Sequence, residues 1–134
     1  VSISTTNPVV HYDQERVQSS QPMVLKGRST TSSNVVLWAR ALEDESAFTV
    51  IATVTGKLEG SAERGSYILA GTFYRDGSTA TQQGATDVIS STVSGSFDGA
   101  PSLGVTGNVA RLLANSGGTA NYDWTCSVVV VPVV

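Results

Sequence analysis

The fourteen residues from Asn121 to Val134 (NYDWTCSVVVVPVV) constrain the fold of this chain more than any other stretch. Tyr122, Trp124, Cys126, Val128 and Val130 fall on one parity, and Val129, Val131 and Val133 on the other, so the segment begins half-buried and ends apolar on both faces. β-Branched and aromatic side chains fit a pleated surface, and a run apolar on both parities needs cover on both sides. We therefore expect a central strand whose Trp124 to Val130 part lies in the core. The other apolar face, with Val129, Val131, Val133 and Val134, is expected to meet another subunit.

The stretches before it read as further strands. Residues 1–21 carry little periodic apolar pattern beyond Val9, Val10 and Tyr12, and are expected to form an extended arm that orders by lying on something else. Residues 22–134 then form the folded domain. Short strands are expected over Met23 to Lys26 and over Val35 to Leu42. The clearest alternation runs from Ala47 to Leu58, and Ser66 to Arg75 follows with a second one. Asp76-Gly77 signals a tight hairpin, with Thr79 to Gln83 returning antiparallel. Val88 to Phe97 is a further strand, and Leu103, Val105, Gly107 and Val109 alternate as another. About eight strands with no helical period of any length give an all-β, antiparallel, jelly-roll-like sandwich. Glycines at 56, 71, 95 and 107 interrupt these patterns, which marks bulges or close backbone approach.

Several function classes are disfavoured by composition. The eight Lys and Arg are scattered singly in a chain of net charge −3, so no stripe exists to neutralise a row of phosphates, and nucleic acid is not an expected partner. The longest apolar run, Val128 to Val134, contains Pro132 and is far shorter than the roughly 20 residues of a spanning helix, so no membrane is expected either. Residues 1–8 carry neither the basic start nor the apolar centre of a signal peptide. The lone Cys126 excludes an intrachain disulfide and reads as a small buried side chain.

Catalytic and metal chemistry find no pattern. The only histidine, His11, falls in the arm, and no serine or cysteine nucleophile is paired with it in sequence. Three carboxylates in Glu43 to Ser46 (EDES) invite a calcium reading, but the spacing of a known calcium loop is missing, and a solvated turn between strands explains them better. No catalytic residue, cofactor or metal ligand is therefore assigned, and the chain is expected not to be an enzyme. Tyr74, Arg75 and Asp76, at a hairpin corner, are the candidate ligand contacts: an aromatic face can stack on a sugar whose hydroxyls Arg and Asp can bond. The plainer reading there is a strand end before a type I′ turn. Trp38 and Trp124 lie in strongly apolar strands and read as core anchors.

The segment FTVIATVTGKLEGSAERGSYILAGTFYRDGSTATQQGATDV, then VTGN at 105–108 and the closing tryptophan-valine strand, resemble a β-rich module of bacteriophage virion proteins. Such modules form the distal parts of tail fibres and head-surface fibres or decorate capsids. The resemblance covers residues 48–134 and implies a jelly-roll-like sandwich, usually trimeric, on the virion surface, with capsid or tail proteins as partners. It supplies no chemical residue. Two functions are therefore expected: a structural virion protein assembling as a homotrimer, or, as the alternative, a carbohydrate-binding module that reads host-surface glycans.

Overall fold

The computed structural model describes residues 23–30, 33–95, 97–116 and 120–133; the expected arm over 1–21 lies outside them. The described residues hold eight strands and no helix. These are β1 (Met23–Ser29), β2 (Asn34–Ala41), β3 (Ser46–Leu58), β4 (Arg64–Arg75), β5 (Thr81–Val93), β6 (Ala100–Thr106), β7 (Val109–Asn115) and β8 (Tyr122–Pro132). They form two antiparallel sheets, one of five strands in the order β1-β8-β3-β4-β5 and one of three in the order β2-β7-β6. The first two strands pair with the last two in opposite sheets. Instead of crossing after β3, the chain runs β3-β4-β5 as a meander in one sheet, so the strands divide five and three.

β8 is central, as its valines require: it pairs with β1 on one side and with β3 on the other. Tyr122, Trp124, Cys126, Val128 and Val130 all point into the core. Phe48, Val50, Ala52 and Val54 join them from β3, and Tyr67, Leu69 and Phe73 from β4. The three-stranded sheet contributes Leu37, Trp38, Leu103, Ala110, Leu112 and Ala114. Trp38 and Trp124 are thus both core anchors. Strict alternation would send Leu37 outward, but a bulge between Val36 and Trp38 turns both Leu37 and Trp38 inward.

Four boundaries differ from the sequence expectation. β1 runs on to Ser29, because Gly27 and Ser29 are small enough to continue the inner face against β2; a Cβ on Gly27 would sit 2.7 Å from Leu37. Thr79 to Gln83 and Val88 to Phe97 are not two strands: β5 is continuous, with Gly84 at φ 76 inside a bulge that absorbs the polar interruption. Conversely, the single alternation from Leu103 to Val109 is folded into the β6–β7 hairpin. Gly107, at φ 58, occupies the first central position of its two-residue turn, where a left-handed backbone is needed. Finally, Asp76-Gly77 does not form a two-residue type I′ turn. Tyr74 pairs with Thr81, so residues 75–80 make a six-residue connection with Gly77 at φ 78.

One end of the sandwich is closed by rings. Phe97, on the β5–β6 connection, is buried with its centroid 4.8 Å from Tyr122, 5.8 Å from Trp124 and 6.4 Å from Tyr67. The polar edges of this cluster are satisfied. Trp124 Nε1 donates to Ser29 Oγ at 2.9 Å, Tyr67 Oη donates to the Gly99 carbonyl at 2.9 Å, and Tyr122 Oη donates to the Asp98 carboxylate. Trp38, Phe48 and Phe73 form a second ring cluster toward the opposite end.

Candidate functional site

At that opposite end, three turns are tied to one another. Leu42 N donates to the Asn108 carbonyl at 2.7 Å, and Ala80 N donates to the Gly107 carbonyl at 3.1 Å. The acidic turn joins them, because Asp44 Oδ1 accepts from Gly77 N at 2.6 Å. Arg75 sits in the middle: its Nε donates to the Ser78 carbonyl at 2.8 Å and one terminal nitrogen donates to the Leu42 carbonyl at 3.1 Å. Its guanidinium therefore braces two loops. Tyr74 is on the outer face of the five-stranded sheet and 39% exposed, and Asp76 is exposed beside it. The three candidate ligand contacts are thus close in space, with Tyr74 and Asp76 open to solvent and Arg75 engaged with backbone.

Next to these turns, Arg40, Ala41, Glu43, Ser46, Phe48, Pro132 and Val133 are among the residues lining a shallow cleft of about 280 Å³. The Arg40 guanidinium lies 5.2 Å from the Phe48 ring centroid, a cation–π distance. Among the described residues, no group of three His, Cys, Asp or Glu is placed to hold a metal ion, and no helix is long and apolar enough to cross a membrane. His11 lies outside the described residues.

The closing valines line the outer face. Val129 is half-buried opposite Ile51, while Val131 is 52% and Val133 73% exposed; Val134 lies outside the described residues. A second apolar surface escapes the sequence reading. Val88, Ile89 and Val93 on β5 are 55%, 57% and 49% exposed. Val88 and Val93 pair with the inward-facing positions Leu69 and Gly65, yet both are left exposed. The available signal was the segment VISSTV itself. Its apolar residues follow no single parity, so they cannot all serve one core face.

Burial pushes the Cys126 thiol above its ordinary 9.0, against a smaller lowering by a hydrogen bond with the Leu25 backbone. It is held as a thiol in the core, which suits packing and not nucleophilic attack. Burial also raises Tyr67 and Tyr122 above their ordinary 10.0, and for Tyr122 the bond to the Asp98 carboxylate adds to the rise. All three groups bind their proton more tightly folded than unfolded. Their contribution to stability is complete below the unfolded values and is lost as pH rises from there through the raised folded values. Denaturant midpoints should therefore begin to fall as pH climbs past about 9, and Tyr122→Phe should reduce the slope of that fall. A midpoint indifferent to alkali would contradict these buried environments.

No family model and no curated protein matches the chain. Among solved structures, it is similar to the tailspike protein of Acinetobacter baumannii phage AM24, with a TM-score of 0.48 and 10% identity over 88% of this chain and 29% of that one. It is also similar to the tailspike protein gp49 of Acinetobacter baumannii bacteriophage Fri1, a capsular polysaccharide depolymerase. There the TM-score is 0.41 and the identity 11%, over 84% of this chain and 19% of that one. The chain spans less than a third of the length of either solved chain.

Proposed function

We propose that this chain is a non-enzymatic structural module of a bacteriophage virion, displayed at the particle surface as a fibre tip or capsid decoration and assembling as a homotrimer. The observation that carries this reading is apolar surface left over after the core is filled. Val131 and Val133 lie on one side of the sandwich and Val88, Ile89 and Val93 at the edge of another, while the interior is already packed by both sheets. Solvent-exposed apolar strips on a β-sandwich invite edge pairing and aggregation, and closed symmetric assembly removes that hazard. The resemblance of residues 48–134 to virion β-modules supports the same reading. Sedimentation of the purified chain should give three times the 13.9 kDa of one copy. A monomer that stays soluble at high micromolar concentration would defeat it.

A second reading is favoured by one observation, the open ring of Tyr74 beside Asp76. Here the turn cluster binds a host-surface glycan, with the ring stacking on a sugar face. Glycan-array binding that Tyr74→Ala abolishes would support it, and binding unaffected by that change would move any glycan contact elsewhere.

A further inference from the structure

We infer that copies of this chain meet along β5, with Val88, Ile89 and Val93 packing against their counterparts in the neighbouring copy. This rests on the assembly proposed above and names its surface. The two edges of the five-stranded sheet are treated differently. β1 is seven residues long and carries Lys26 and Arg28, with Arg28 paired to Glu59 and Asp123; charged side chains of this kind deter a further strand. β5 is thirteen residues long, holds one charge at Asp87, and has neither Lys, Arg nor Pro. Its defences are confined to Asp87 and to two register shifts against β4, and they leave Val88, Ile89 and Val93 exposed.

The occupant follows from charge and area. Copies with net charge −3 repel one another, so they approach most readily where charge is scarce, and β5 is such a strip. Eleven of its thirteen residues are exposed. A stable interface covers roughly 800 Å² per partner, which a long strand with so few covered residues can help to supply. Thr86 steadies the strip from below. It accepts from Gln82 Nε2 at 2.9 Å and donates to the Leu103 carbonyl at 3.2 Å, pinning the bulge of β5 to β6. The bulge next to the strip is therefore fixed before assembly, which lowers the ordering cost there.

The test uses the full chain. Val88→Lys/Ile89→Lys places two charges on exposed positions and should lower the sedimenting mass threefold, with circular dichroism and melting unchanged. Val131→Lys/Val133→Lys, on the other apolar surface, should leave the mass intact. Should the double substitution on β5 disturb folding, Ile89→Cys provides an independent reading, since Cys126 is buried. Ile89→Cys should form a disulfide-linked dimer under added oxidant, and Lys57→Cys on the outer face should not. An oligomer that survives the β5 substitutions, or dissociates only with the Val131/Val133 pair, overturns this inference while leaving the proposed function standing. A monomeric wild-type chain overturns both.

Discussion

Phe97→Ala is expected to destabilise the fold by about 3–5 kcal/mol, the usual cost of deleting a buried ring. In a domain of this size that is a fall of about 10–20 °C in melting temperature. The residue sits on a connection and not on a strand, yet its ring touches Tyr67, Tyr122 and Trp124, and so joins β4 to β8 across the end of the core. Removal leaves a void that its neighbours cannot collapse into. Trp124 is held by its bond to Ser29, and Tyr67 by its bond to the Gly99 carbonyl. Phe97→Leu should cost about half as much, and Tyr74→Ala, on the surface, less than about 0.5 kcal/mol. Urea unfolding of the three variants separates these cases. If Phe97→Ala leaves the midpoint unchanged while amide exchange at 97–99 accelerates, the ring belongs to a locally opening loop and not to the cooperative core.

What the sequence reveals and conceals follows from how each residue is used. The alternation of β3, β4 and β8 is legible because each strand has one face inward for its whole length, and the central place of β8 follows from its two apolar parities. The turn at Gly107 is hidden because Leu103, Val105, Gly107 and Val109 keep one parity through a hairpin, so periodicity alone cannot detect the reversal. Phe97 reads as the end of a strand, since nothing local distinguishes a ring that closes a core from one that extends a ladder. β5 is the deepest omission. Its exposure follows from its place at the end of the five-stranded sheet, and periodicity reports the faces of a strand, not which edge of a sheet it occupies. Arg75 illustrates the same limit at the candidate site: its type and position at a hairpin corner suggest a ligand contact, whereas the Leu42 carbonyl that it meets is 33 residues away in sequence.

Gly56→Ala is the sharper test of the aromatic end, because one methyl group decides it. The backbone at Gly56 lies outside the left-handed region, so alanine meets no conformational penalty there. Its Cβ would stand 2.5 and 2.6 Å from two atoms of the Trp124 ring and 2.9 Å from Phe97 Cζ. Carbon atoms this close are strongly repulsive, and neither ring can swing aside, as Trp124 is 1% exposed and Phe97 6%. Overpacking of this kind costs about 1–3 kcal/mol. Gly104→Ala supplies the opposite sign. It also sits on a strand without a left-handed backbone, but open space surrounds its Cβ, so the lost freedom of the unfolded chain should stabilise it by about 0.4–1 kcal/mol. Combining Gly56→Ala with Trp124→Phe, which trims the obstructing ring, should cost less than the sum of the two changes, because sites in contact couple. Additive losses would mean that the methyl is accommodated by backbone movement in β3. The close approach of Gly56 to the Trp124 ring would then not be what selects glycine at this position.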